Sequence, residues 1–212
     1  GPDLPSIKSF DTDNSHVILA MTFSKPCAPG LKTGYGLLPH ELVGPLLRLK
    51  GNHDFGSNNL TQHLLDHMLE TGDYDKHVAE LCRVYGQKRD ALLSALEAEF
   101  ADLKPLARWT HPDGGLYVWL TLPTDVHTGP KSPLMEAALK EGVLYVPGRF
   151  CYLEDGQATV PHHEARLSFG VAAPEQMREG IRRLARAIRA ELDQRAAPPP
   201  SRKPRPQAVP SA

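Results

Sequence analysis

Val17-Ile18-Leu19-Ala20-Met21-Thr22-Phe23-Ser24-Lys25-Pro26-Cys27-Ala28-Pro29-Gly30-Leu31-Lys32-Thr33-Gly34-Tyr35-Gly36 decides how the rest of the chain is read. It opens as an apolar run of strand length and breaks abruptly into Ser24-Lys25 and a Pro/Gly-rich turn. Partial desolvation where a buried strand ends favours the neutral form of a lysine, the form that attacks a carbonyl. Seven residues on, beyond the Pro29-Gly30 turn, stands a second cation, Lys32, and Ser24 adds a hydroxyl beside the first. One nucleophilic amine, one fixed positive charge and one hydroxyl suit an aldehyde that carries a phosphate, and pyridoxal 5′-phosphate is such a molecule. The competing reading is a strand-end lysine reaching into solvent beside an ordinary turn.

Phe23-Ser24-Lys25, followed by Pro29-Gly30-Leu31-Lys32 and Gly34-Tyr35, resembles the Schiff-base lysine segment of the class I/II, fold-type I pyridoxal-phosphate aminotransferases, above all the 2-aminoadipate- and aromatic-aminotransferase-like members. The resemblance implies that Lys25 carries the cofactor and that Ser24 and Lys32 hold its phosphate. The family usually has arginine where Lys32 stands, and a lysine binds phosphate as a point charge without the bidentate fork. A second stretch is similar to the same family: Pro147-Gly148-Arg149-Phe150, then Asp155-Gly156, then Arg166-Leu167-Ser168-Phe169. There the arginine binds the α-carboxylate of the substrate, so the resemblance gives that role to Arg166. A planar guanidinium with two parallel donors fits such a task. Taken alone, Arg166 also reads as a strand arginine bridging a surface carboxylate.

The 212 residues carry 24 cationic and 25 acidic side chains, a net charge of −1, so overall electrostatics favour neither nucleic acid nor an anionic membrane as partner. Hydrophobic residues make up 41% and charged residues 23%, as in an ordinary globular protein. The three cysteines lie far apart with no CxxC pair, which argues for a reducing compartment and against structural zinc. No apolar run has the length of a membrane span and no signal peptide opens the sequence, so the cytoplasm is the expected location. His63 and His67, and His162 and His163, lack a companion ligand pattern, and no metal is expected.

Along the chain, residues 16–21 and 34–38 read as strands, 40–49 as a helix containing Pro45, and 51–59 as a loop whose Ser57 or Asn58 caps a helix over 60–70. Residues 74–100 form the longest stretch of helical periodicity, with Val78, Leu81, Leu92, Leu96 and Phe100 on one stripe. Strands follow at 106–110 and 115–122, a helix at 132–141 ended by Gly142, and a strand at 143–146. The last helix starts at Ala173-Pro174-Glu175; its arginines are diluted by acids and read as a solvated face. The proline-rich residues 194–212 are expected to be disordered.

The fold class expected is α/β. Residues 1–75 end the cofactor-binding large domain, a mixed or parallel sheet with helices, and 76–193 form a smaller α+β domain entered by the long helix. Members of the family are much longer chains, and the sequence resembles their C-terminal half. The resemblance implies transfer of an amino group between an α-amino acid and a 2-oxo acid, and a homodimer for the full-length form. The aspartate, aromatic ring, asparagine and tyrosine that complete the cofactor site come from the segment before the lysine in that family. A non-catalytic remnant, a half that needs a partner chain, and the effector domain of an aminotransferase-like regulator are the alternatives.

Overall fold

A computed structural model describes residues 5–153, 156 and 158–196. They divide into two compact units between Gln87 and Lys88. Of the expected features, Asp155 and residues 197–212 of the proline-rich tail lie outside the described residues.

The first unit opens on a 3₁₀ turn, Ile7–Phe10, followed by a tight latch. Lys8 donates to Asp11 (2.6 Å), to the Val17 carbonyl (2.8 Å) and to the Asn14 side chain. The Asp11 carboxylate also accepts from the backbone N–H groups of Ser15, His16 and Val17. Both backbone groups of Val17 are therefore spent on side chains, and strand β1 runs over Leu19–Thr22 rather than from residue 16. The Lys8 ammonium and these N–H donors hold the Asp11 carboxyl far below the usual carboxylate range. A depressed folded-state value means that the latch stabilises above the ordinary carboxylate pKa, and that this contribution is lost only as pH falls through the lowered value. Hydrogen exchange at Ser15–Val17 should therefore stay slow through mild acid in the native chain and become fast at neutral pH in Asp11→Ala.

Strand β2, Gly34–Leu37, pairs antiparallel with β1, Leu19 opposite Leu37 and Thr22 opposite Gly34. Of the expected mixed or parallel sheet, the described residues hold this antiparallel pair. The reason is the connection: the short stretch from 23 to 33 reverses the chain and holds no crossover helix, which a parallel pair requires. Gly34 lies so close to β1 that a Cβ there would meet the Met21 carbonyl oxygen at 2.3 Å. Gly34→Ala should cost about 1–3 kcal/mol, as overpacking does, read as faster exchange of the Phe23 amide.

Helix α1 spans His40–Asp54 and continues through Gly51, where a loop was expected. It stops at Phe55, whose φ of 53° puts it in the left-handed region and whose N–H returns to the Gly51 carbonyl. Asn58, not Ser57, caps α2 (Asn59–Glu70), accepting from the Thr61 N–H. Leu65 is the buried large apolar residue of these two helices, whereas Leu46, Leu47, Leu49, Phe55 and Leu60 are exposed. Helix α3, Asp73–Glu99, contains the division between the units.

In the second unit β3 (Arg108–Trp109), β4 (Tyr117–Thr121), β5 (Val146–Pro147) and β6 (Glu164–Ser168) form an antiparallel sheet in the order β3-β4-β6-β5. Alternation sends Val118, Leu120, Ala165 and Leu167 into the core. Leu96 and Phe100 from the end of α3, Leu134 and Ala138 of α4 (Pro133–Lys140), and Ile181, Leu184 and Ile188 of α5 (Pro174–Ala196) fill the same core. Two expected strands are shorter than read. Leu103–Ala107 winds into a turn, and Val143 donates its N–H to the Ala138 carbonyl, closing α4 through Gly142 at φ 74°.

The arginines of α5 form a row of clamps rather than a merely solvated face. Arg189 makes a bidentate pair with Asp102 and donates to the Glu99 carbonyl at the end of α3. Arg183 reaches the Glu141 carbonyl beyond α4, and Arg186 pairs with the Glu141 side chain at 2.6 Å. Helix ends leave carbonyls without intrahelical partners, and these guanidinium groups supply them.

Candidate functional site

Ser24, Lys25 and Lys32 all lie on the connection between β1 and β2. Its base is closed by Phe23, whose N–H donates to the Thr33 carbonyl at 3.0 Å and whose carbonyl accepts from Cys27 and Ala28. The Phe23 ring is fixed between Tyr35 and Tyr74, both centroids 5.9 Å away. Ser24 and Lys32 therefore flank one hydrogen-bonded pair, and Lys25 follows Ser24 on the turn.

The Thr22 hydroxyl accepts from the Ser24 N–H at 3.1 Å and donates to Ser24 Oγ at 3.0 Å. Ser24 thus keeps its own hydroxyl proton for a further acceptor. Thr22 stands two residues before Ser24, within reach of an ST-type turn, and that spacing is the trace its role leaves in the sequence. Lys25 is exposed, with no hydrogen-bond or ion-pair partner among the described residues. The desolvation expected of a strand-end lysine is not supplied by these residues.

Lys32 caps the 3₁₀ turn Pro29–Leu31 with φ 51° and ψ 36°. A lysine held in the left-handed region costs about 1–2 kcal/mol, and such outliers gather at ligand clamps. Thr33 locks the next step, its hydroxyl bonding the Leu31 carbonyl at 3.0 Å and Thr61 Oγ1 at 2.8 Å. No acidic residue occurs between Asn14 and His40. Two lysines on an acid-free loop make a local positive field suited to a phosphate.

Arg166 stands in the middle of β6 in the second unit, opposite Trp119 on β4 and Val146 on β5. It lies on the face away from Ala165 and Leu167, half-buried, with its Cζ 4.3 Å from the centroid of the Tyr117 ring. The alternative of a bridge to a surface carboxylate is not what is found: no acid pairs with Arg166 among the described residues, and its Nε is buried without a hydrogen-bond partner. Glu164, two residues earlier on the same face, instead accepts from the Tyr152 hydroxyl at 2.6 Å. That carboxylate pushes the Tyr152 hydroxyl up to about 12. Gly148 of the second signature is explained by packing, because a Cβ there would meet Glu164 Cβ at 2.7 Å.

Asp11, Asp13 and His16 bring possible ligand atoms within 4.8 Å of one another. The Asp11 oxygens, however, are already taken by Lys8 and three backbone N–H groups. The His162 ring stacks on His127 at 5.9 Å. Among the described residues no helix is long and apolar enough to cross a membrane.

No protein-family model matches the chain. It is 35% identical over 193 residues to aromatic-amino-acid aminotransferase 1 of Thermococcus litoralis, covering 91% of this chain and 43% of that one. It is also 32% identical over 177 residues to the HTH-type transcriptional regulator NorG of Staphylococcus aureus, covering 84% of this chain and 37% of NorG. The structure matches the multiple substrate aminotransferase of Thermococcus profundus with a TM-score of 0.82 and 34% identity, over 92% of this chain and 45% of that one. It matches LysN, the α-aminoadipate aminotransferase of Thermus thermophilus crystallised with N-(5′-phosphopyridoxyl)-L-leucine, with a TM-score of 0.78 and 30% identity, over 92% and 48%. The chain thus spans less than half the length of these relatives. Over that part of their length it is homologous to fold-type I pyridoxal-phosphate aminotransferases, the aromatic and 2-aminoadipate enzymes among them.

Proposed function

We propose that this chain is the lysine- and arginine-bearing part of a pyridoxal-phosphate-dependent aminotransferase, acting between an α-amino acid and a 2-oxo acid. The observation that carries the reading is the acid-free β1–β2 loop, which sets an unpaired amine, a hydroxyl with a free proton and a cation in the left-handed region around one backbone pair. These residues fit the phosphate and the aldehyde of the cofactor. Ser24 would donate to the phosphate, Lys32 would pair with its charge, and Lys25 would present its amine to the aldehyde.

When bound, the cofactor supplies an electron sink for charge developing at the substrate's Cα. The Lys25 amine would serve as the base that takes the proton from the substrate's Cα and, as an ammonium, as the acid that delivers it to the carbon on the far side of the amino nitrogen, two atoms away. Arg166 would fix the α-carboxylate, so that the bond to be broken has one orientation. Residues 1–75 would end the cofactor-binding domain and 76–193 form the smaller one. The leucines that α1 and α2 leave exposed are in keeping with cover by further chain, in a homodimer of longer chains.

The test is to add pyridoxal phosphate to the purified whole protein, reduce with borohydride and locate the label by mass spectrometry. A label on Lys25 alone is expected; scattered labelling, or none, would defeat the reading. The similarity to NorG favours a second reading, an effector part of a regulator that binds the cofactor without turnover. A panel of amino acids offered to the whole protein separates the two, since only the aminotransferase releases 2-oxo acids.

A further inference from the structure

We propose that Tyr117 is the positioning residue that presents Arg166 to a carboxylate, the two forming one recognition unit on the open face of the second unit's sheet. The inference rests on the reading of Arg166 as the partner of a substrate carboxylate.

Arg166 lies on the central strand β6, and its register partners Trp119 and Val146 put an indole and an isopropyl group on the same face. Tyr117, two residues from Trp119, shares that face, with its ring centroid 4.3 Å from the guanidinium carbon. The arginines of α5 are held by acids, as Arg186 is by Glu141 and Arg189 by Asp102. Arg166 has no acid partner among the described residues, and Glu164 beside it is directed to the Tyr152 hydroxyl. What orients its guanidinium is the ring.

A ring contact and a carboxylate do not compete for an arginine. The aromatic face attracts the π face of the guanidinium, while the in-plane N–H groups stay free for a bidentate acceptor. Ordering the side chain before the ligand arrives also removes part of the entropy that binding would otherwise cost. Tyr117 would therefore set affinity for the carboxylate without touching it.

The experiment follows the Arg166 Nε–H signal by NMR in the ¹⁵N-labelled 212-residue chain, assigned with Arg166→Lys and titrated with pyruvate to high millimolar concentration. In the native chain and in Tyr117→Phe, the ring current should set this signal apart from those of exposed arginines. In Tyr117→Leu it should fall among them, and pyruvate affinity should drop about threefold to tenfold. Tyr117→Thr, a second strand-forming variant without a ring, should repeat the result if the leucine variant loses its native amide spectrum. An unmoved Arg166 signal in the ringless variants overturns the proposal. If the signal does collapse but pyruvate moves it in no variant, the native chain included, then the carboxylate reading of Arg166 is what fails, and Tyr117 is left with a packing role.

Discussion

Lys25→Ala should leave the chain folded and, if Lys25 has the role proposed above, lower transamination by the whole protein about 10³-fold or more, because it would remove both the nucleophile and the proton carrier. The borohydride-stable label should vanish with it. Folding is expected to survive because the Lys25 side chain is exposed and bonded to nothing among the described residues. Lys25→Arg separates the two properties of the side chain. It keeps the positive charge, but a guanidinium stays protonated and does not attack carbonyls, so it should be as inactive as the alanine variant. Turnover retained by either variant would show that Lys25 is not the reacting amine, and the β1–β2 loop would be a phosphate clamp at most.

Phe100→Ala should be the most damaging single change to the second unit. The ring is fully buried and meets Trp109 edge-on at a centroid separation of 5.8 Å. Truncating such a side chain costs about 3–5 kcal/mol, a large part of the roughly 5–15 kcal/mol that holds a domain together. Urea denaturation followed by tryptophan fluorescence should show the midpoint collapse. A loss below about 1 kcal/mol would mean that the core around α3 and β3 repacks freely. The same variant bears on the site, because Leu120, Ala165 and Leu167 occupy that core from the buried face of the strands whose other face carries Tyr117, Trp119 and Arg166.

The two signatures were legible in the sequence for a physical reason: their special residues answer to local backbone geometry. Gly34 and Gly148 stand where neighbouring backbone or Cβ atoms leave no room for a side chain, and the Pro-Gly turn before Lys32 delivers that lysine into its left-handed conformation. The long helix and the α4 stop at Gly142 were equally readable, from 3.6-residue periodicity and from a glycine at the helix end. Less legible were the strand limits. Val17 and Val143 both look like strand residues, but side chains or a helix-closing hydrogen bond claim their backbone groups.

Spacing, turn residues and apolar periodicity are properties of one chain, and they suffice to single out Ser24, Lys25, Lys32 and Arg166 as the candidates for the chemistry and to place helices and strands around them. Folding is what pairs β1 with β2 in antiparallel register, sets Thr22 against Ser24, brings the arginines of α5 to the ends of other helices, and turns an aromatic ring rather than an acid toward Arg166. Each of those depends on partners brought together by folding, and a pairwise contact at long separation leaves no periodic trace in one sequence.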